Sequence, residues 1–530
     1  MTLRPTLAVP QSPLAGKFEY LKFIRRNDLS TSVRISIAIE ALYGQLNGVW
    51  GTVTRLANEN NISRTFVYSL ASSLKDAGDF LFSESMTSPP SLVSRDLAIQ
   101  TMLSLRLEGG SSLNPMSTMM KRFECDLTSV GSISQILSRI GKVLPMTLST
   151  ENNTPLLLVL TSDEIFSKNR PILVSVDPCS SAILRIELVD SRKAEDWKKH
   201  FECIHDNGIE AIYLVSDDGS GLRAGHAEAM GNTVRQSDTY HAIAHQLGSW
   251  VDRLERAACK FITLEQEREK KFDSAKTERV QNTRFESWEK TAQLTRKAIS
   301  LYDDFHYLYC CILEELNVFD NNGELRDPKQ AEEEIKTDLT LIDELKHSNI
   351  TKAVAKTRRT LPDLFHYFDV AKKIINECKE LSIHEESFKA YCLAWQWGKA
   401  VRKTKNTQRK NWAKEQEQEY LEIARCLHSE ESEALQDEIY NRLDKIVQSS
   451  AMVECINSII RPFLNTYKDH VTQEQLNLIM FYHNHRRYRD GKRKNKTPME
   501  LLTGKEQTED WISLVFDRIR EKDPELLLVS

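Results

Sequence analysis

The sequence lacks the marks of a disulfide scaffold, a membrane protein or a disordered tail. Its ten cysteines include no Cys-x-x-Cys pair; Cys310 and Cys311 are adjacent and the rest are scattered. That spacing speaks against a thiolate metal site and predicts free, mostly buried thiols of a reducing compartment. The longest purely aliphatic run is Leu156 to Leu160, far short of the ~20 apolar residues a membrane helix needs. The first residues carry no charged-then-apolar secretory pattern, so a cytoplasmic location and no membrane partner are expected. Net charge is small too: 71 Lys and Arg against 76 Asp and Glu leave −5. As an average, that balance speaks against a nucleic-acid binder.

Chain breakers are also rare in one long stretch. Across 251–450 only Gly323, Pro328, Pro362 and Gly398 interrupt. Charge is dense there and heptads are not sustained, which predicts a large helical bundle rather than a rod. What is present is apolar mass: 40% hydrophobic residues in 530, enough for three or four soluble domains.

The helix-forming pattern begins at residues 30–80. Thr52 to Leu74 reads as a helix-turn-helix, with Leu56 and Ala57 in the first helix and Asn60-Asn61 able to take the left-handed turn. Ile62 seals the turn, Ser63 can cap the second helix, and Val67 and Leu70 face inward. The exposed positions Arg64, Thr65, Tyr68 and Ser69 suit a major groove; an ordinary helical hairpin is the plainer alternative. A Ser/Pro-rich linker follows at 83–96, then a weaker second pair, Met116 to Glu124 and Val130 to Val143.

After Pro145 the period changes from helix to strand. Strands are expected at Leu156 to Thr161, Ile172 to Val176, Ile183 to Val189, Ala211 to Val215 and Thr233 to Gln236, with helices at 194–206 and 220–230. Three meandering strands, then helix, strand, helix and strand, is the order of a ribonuclease-H-like core. The fold class expected is therefore an α/β ribonuclease-H-like catalytic core with an all-α insertion, preceded by all-α helix-turn-helix DNA-binding domains.

Three acidic residues stand out by position. Asp163 is expected at the end of the first strand, Asp217 follows the fourth, and Glu454 lies one turn into a helix. Two Mg²⁺ ions about 3.5–4 Å apart demand such oxygen ligands and would allow phosphodiester chemistry without a covalent intermediate. Glu454, Asn457 and Arg461 share one polar face at i, i+3 and i+7, beside an apolar stripe of Val453, Ile456, Ile460 and Phe463. Asp218 competes with Asp217, which holds the Asp-x-Gly register. Asp177 competes with Asp163 but precedes Pro178 as a hairpin-turn residue would.

These motifs resemble those of the DDE transposases of bacterial insertion sequences. LTSDEIF resembles the first-aspartate strand and VSDDGSG the second. SAMVECINSIIRPFL, followed by QEQLNLIMFYHNHRRY and KTPMELLTG, resembles the glutamate helix and its tail. The resemblance covers about 155–245 and 448–504. It implies Asp163, Asp217 and Glu454 as catalytic metal ligands for Mg²⁺, with Mn²⁺ able to substitute. It also implies double-stranded DNA partners (inverted-repeat ends and target DNA), a homodimer or higher oligomer on that DNA, and a nucleoid-associated protein. Asp238-Thr-Tyr-His241 resembles the Cys/Asp-x-x-His motif of insertion-bearing members, making His241 a candidate to orient a phosphate or water; a satisfied helix-start histidine is the plain reading. His245 follows one turn later. The implied division is 1–82 and 97–148 for two helix-turn-helix domains, 155–250 and 448–505 for two parts of the core, 251–447 for the insertion and 506–530 for a C-terminal helix or tail. A domesticated DNA-binding regulator and a nuclease without joining activity are the alternatives.

Charge resolved by segment fits DNA better than the average does. Residues 1–75 hold nine Lys or Arg against four Asp or Glu, and 461–505 hold ten against four. Lys399, Arg402, Lys403, Arg461, Arg486, Arg487, Lys492, Arg493 and Lys494 are candidate phosphate contacts. Trp395 and Trp397 could stack on a flipped base, although core packing suits them better.

Overall fold

In the computed structural model, residues 28–81, 94–125, 127–149, 155–381, 383–426, 432–467 and 470–528 are described. Most of the Ser/Pro-rich stretch, and the first 27 residues with their share of the basic segment, lie outside them. The chain forms two compact units, one of residues 1–143 with 514–530 and one of 144–513.

The first unit is helical: α1 (Thr31–Leu46), α2 (Thr52–Glu59), α3 (Arg64–Leu81), α4 (Arg95–Leu103), α5 (Leu113–Arg122) and α6 (Val130–Val143). α4 runs on into a π-helical turn at Ser104–Glu108, which the sequence pattern did not announce. The α2–α3 turn follows from its residues. Asn61 takes the left-handed conformation at φ 52°, and the Ser63 hydroxyl accepts the Phe66 amide at 3.1 Å to cap α3. Leu56, Ala57, Val67 and Leu70 are buried in one small core with Ile37, Ala38 and Ala41 of α1.

The second unit is built on a five-stranded mixed sheet with helical parts around it. Its strands are β1 (Leu156–Ser167), β2 (Arg170–Val176) and β3 (Ile183–Leu188), then α7 (Ala194–Asp206), β4 (Ile209–Ser216), α8 (Ser220–Ala229) and β5 (Val234–Ser237). The order across the sheet is β3-β2-β1-β4-β5. β1 pairs antiparallel with β2 and parallel with β4, and β4 is parallel to β5. One face is covered by α7 and α8 through Leu160, Leu173, Leu214, Trp197, Phe201 and Leu222. Val159, Tyr213 and Val215 alternate to the opposite face. Asp177 is the β2–β3 turn residue expected: its carboxylate accepts the Ser180 amide at 2.7 Å.

Eight helices follow a π-helical turn at Tyr240–Gly248. They are α9 (Ser249–Asp273), α10 (Glu278–Glu315), α11 (Pro328–Glu344), α12 (Ser348–Thr360), α13 (Tyr367–Cys378), α14 (Glu385–Lys403), α15 (Thr407–Cys426) and α16 (Ser432–Leu443). They share one apolar core that includes Phe305, Phe319, Tyr367, Tyr391 and Trp395. Trp395 is thus a core residue, its indole donating to Asp444 at 2.9 Å. Then come α17 (Ala451–Thr466), α18 (Gln473–His485), α19 (Pro498–Thr503) and α20 (Trp511–Lys522).

Two expectations need correction. β1 does not end near Asp163; it runs to Ser167, because its hairpin with β2 continues to Ser167↔Arg170 after β4 has stopped. Nor are the thiols mostly buried. All ten cysteines are free, but three are buried, three half-buried and four exposed, since several ride on the outer faces of helices. No helix among the described residues is long and apolar enough to cross a membrane.

Candidate active site

Register places the two aspartates side by side. The last rung of the β1–β4 ladder is Ser162↔Ser216, so Asp163 is the next residue of β1 and Asp217 the first residue after β4. By alternation Asp163 shares the face of Val159, away from α7 and α8, and the Asp217 charge reaches its carboxyl. α17 packs on that same face, with Val453, Ile456 and Ile460 buried.

α17 meets the aspartates through a residue one turn beyond the glutamate. Asn457 Nδ2 donates to Asp163 Oδ2 at 2.8 Å. Asn457 is only 2% exposed, so of the three polar positions at i, i+3 and i+7 it is the one turned inward. Its Oδ1 is buried with no hydrogen-bond partner among the described residues. Burial first, with the charges of Asp217, Glu164 and Glu454 acting in the same direction and a backbone hydrogen bond from Glu164 opposing them, raises the Asp163 carboxyl to about 7. Three carboxylates therefore act on one another here.

Glu454 itself is half-exposed and turned to His241, whose Nε2 lies 2.7 Å from Glu454 Oε1. Burial works to lower the His241 imidazole, but the bond to Glu454 and the charges of Asp238, Glu454 and Asp217 raise it above the usual value. Among the described residues, the one group of three ligand types drawn within 4.8 Å of one another is Asp238, His241 and Glu454. Asp163 and Asp217 do not join Glu454 within that distance. Asp238, however, is already spent: its oxygens accept the Tyr240 amide at 2.7 Å and the Ser450 amide at 3.0 Å, and the Ser450 hydroxyl as well.

Asp217 and Asp218 are separated by their partners. Asp218 Oδ1 accepts from Arg235 at 3.2 Å and from Ser237 at 3.1 Å. Asp217 Oδ1 accepts the Gly219 amide at 3.0 Å, in a tight Asp-x-Gly turn. Arg235 also donates to the Asp217 carbonyl and to Asp363. A cleft of about 370 Å³ opens beside these groups, lined by Asp217, Asp238, His241, His245, Lys356 and Thr360 among others. Its lining stops short of Asp163, on β1, and Glu454, on α17.

What carries Glu454 back after the helical block is a strap of backbone at 446–450. The Val447 amide and carbonyl both bond the Tyr213 hydroxyl, at 2.9 and 2.8 Å. Thr239 bonds the Gln448 carbonyl, and Asp238 holds Ser450, the residue before α17. Sequence reasoning missed this strap because nothing local signals it; Asp238 and Tyr213 read as a motif residue and a strand aromatic.

The candidate phosphate contacts divide sharply. Arg64, Thr65 and Tyr68 are exposed on α3, and beside Arg64 and Tyr68 stands Trp50, fully exposed in the α1–α2 loop. Arg402, Arg461 and Lys494 are also exposed. Lys403 is exposed too; partial desolvation lowers its ammonium and the Asp238 charge opposes that. Five others are engaged within the chain, although Arg487 and Lys492 stay exposed. Lys399 donates to the Ile446 carbonyl and lies 3.8 Å over the Trp395 ring; burial pushes it down to about 7. Arg487 grips both Glu500 oxygens at 3.0 Å. Lys492 pairs with Asp444, and Arg493 donates to the Cys179 carbonyl at 2.9 Å. Arg486 stacks 5.4 Å over Tyr482. Trp397 packs edge-on to Trp412, with ring centroids 4.7 Å apart.

No protein-family model and no curated protein matches the chain. Among solved structures it is similar to the "Drosophila P element transposase strand transfer complex", at 12% identity and a TM-score of 0.23, over 86% of this chain and 100% of that one. A likeness at that score carries no argument about fold or function.

Proposed function

We propose that this chain is a DNA transposase of the DDE type, with a ribonuclease-H-like core that cuts and joins strands and helix-turn-helix modules that read the element's ends. One observation carries the reading: Asp163 and Asp217 stand one step past the last β1–β4 rung, where α17 brings Asn457 and Glu454. The motif resemblance to insertion-sequence enzymes supplies the rest.

The donors fit Mg²⁺ or Mn²⁺. They are carboxylate oxygens, which hard cations prefer, and the charges of Asp217 and Glu454 both reach Asp163, adding to the effect of its burial. Asp163, Asp217 and Glu454 would hold the ions, which when bound stabilise the charge that develops in phosphoryl transfer. The chain's own residues orient those ligands. Asn457 fixes Asp163 Oδ2, the Gly219 amide fixes Asp217 Oδ1, and His241 holds Glu454 Oε1. Arg235 ties down Asp218 and leaves Asp217 to face the reaction. An assembly of two or more protomers on paired DNA ends, at the bacterial nucleoid, belongs to the same proposal.

The test is a duplex ending in the element's inverted repeat, incubated with Mg²⁺ or Mn²⁺. The protein should nick and join it; Asp163→Asn and Glu454→Gln should do neither while still binding the end. Full strand transfer by either variant would sink the site. Nicking without joining would make the chain a nuclease, and binding without cleavage a domesticated regulator.

A further inference from the structure

The helical block between β5 and α17 has no role in the reading above, yet one of its helices reaches the cleft. α12 contains four basic residues, Lys352, Lys356, Arg358 and Arg359, and no Asp or Glu. Its apolar side is settled by Ile350 and Val354, which are buried, and by Thr357, whose hydroxyl donates to the Ala242 carbonyl at 3.1 Å. That bond fastens α12 against the π-helical turn that carries His241.

The basic residues are not equivalent. Arg358 is engaged with Asp343 at 3.3 Å and with Thr340. Lys352, Lys356 and Arg359 are exposed and have no ion-pair partner among the described residues. They stand at i, i+4 and i+7, hence on one face. Lys356 lines the cleft together with Asp217 and His241, so this stripe runs to the acidic site instead of away from it.

We infer that the Lys352–Lys356–Arg359 face of α12 is a track for the phosphates of the nucleic-acid strand that enters the cleft. The stripe is about 10 Å long at 1.5 Å per residue, enough for roughly three phosphates at about 3.4 Å of rise each. Unpaired cations opposite a carboxylate wall suit a phosphodiester chain: the basic side takes the flanking phosphates and the acidic side, with its cations, the reacting one. The inference rests on the reading of the site as one for DNA strand chemistry, and gives the insertion a part in it.

The experiment uses the full chain and a mixed-sequence duplex with a single-stranded tail, with binding followed by fluorescence anisotropy across a salt series. Lys352→Ala/Lys356→Ala/Arg359→Ala should keep the wild-type melting temperature, since all three side chains are exposed. It should flatten the log–log salt dependence by about 2, at roughly 0.7–0.9 per lost phosphate contact, and cut cleavage at least about ten-fold. Lys356→Arg should restore most of the single-site loss, and Lys372→Ala/Lys373→Ala, which removes two exposed lysines of α13, should change nothing. An unchanged salt slope in the triple variant, with wild-type protein binding and cleaving, would overturn the track and leave the active-site reading standing. Equal competition by polyglutamate would overturn it too. Wild-type protein that neither binds nor cleaves any DNA with Mg²⁺ or Mn²⁺ would bring down the reading itself.

Discussion

The α2–α3 pair and the Asp163–Asp217–Glu454 site are built by opposite means. In the helix pair the determinants are near in sequence: Asn61 makes the turn, Ser63 caps the next helix, and Leu56 and Val67 close a core with Ile37 and Ala41 of the preceding helix. In the site, the decisive bonds join residues more than two hundred positions apart, such as Tyr213 to Val447, Asp238 to Ser450 and Asp163 to Asn457. A local motif can be moved or mimicked by chance. A site tied together across a large insertion must be held by its tethers, and those tethers are where it should fail.

The largest expected effect separates the two regions. Asp163→Asn or Glu454→Gln should lower strand cleavage by at least about 100-fold and leave end binding intact. Arg64→Ala with Tyr68→Ala should do the reverse: each lost base contact weakens end binding by about 1–3 kcal/mol, while cleavage at saturating DNA persists. Gel shift and cleavage assays on the same four proteins read both. If the two sets of variants lose the same activity, the regions are not the separate devices described.

Next comes the strap. Asp238→Ala removes the buried carboxylate that holds Ser450, and a charge-assisted hydrogen bond of this kind contributes about 1.5–3 kcal/mol. Cleavage should fall about 10–100-fold, as for other groups that orient metal ligands, with a lower melting temperature and unchanged end binding. Normal cleavage by this variant would mean that Glu454 is positioned by α17 packing alone.

A smaller effect is set by pH. His200, His226 and His483 are buried in the second unit, and desolvation pushes each down to about 4. They are neutral in the folded state and take up protons more readily on unfolding. Their contribution is therefore complete above pH ~6.5 and is lost as pH falls from there towards 4. The melting temperature of a 144–513 transition should drop across that window. His200→Gln should shallow the drop. A flat profile between pH 6.5 and 4 would contradict the neutral, buried state.

The smallest effect lies in the local region. Asn61→Gly keeps the left-handed turn without a Cβ and should change stability by less than about 1 kcal/mol, whereas Asn61→Val should cost about 1–2 kcal/mol. Thermal unfolding of 28–143 signals would show it.

Much of this was legible in the sequence. Apart from the far end of β1, strand and helix bounds in the sheet region fell within two residues, because short β-branched runs such as ILVSV, buried on both faces, and the turn at Asp177 signal themselves locally. The Asp-x-Gly turn at Asp217 was legible; that Arg235 holds Asp218 was not. The strap was not legible, since backbone bonds to Val447 and Gln448 leave no side-chain pattern. Neither was the fate of the basic residues. Lys399 and Arg487 look like free cations in a row of cations, but one lies on Trp395 and the other on Glu500. The free cationic stripe, on α12, lay in a stretch that read as ordinary charged helix.

The central claim is that the two aspartates beyond the β1–β4 ladder share a divalent cation. Mn²⁺ titration followed by electron paramagnetic resonance tests it without requiring a DNA substrate. The account predicts that Asp217→Asn and Asp163→Asn each weaken Mn²⁺ binding at least ten-fold, whereas Asp218→Asn, tied to Arg235, leaves it within about two-fold. Binding lost with Asp218→Asn and kept with Asp217→Asn, or unaffected by both aspartates of the ladder, would contradict it.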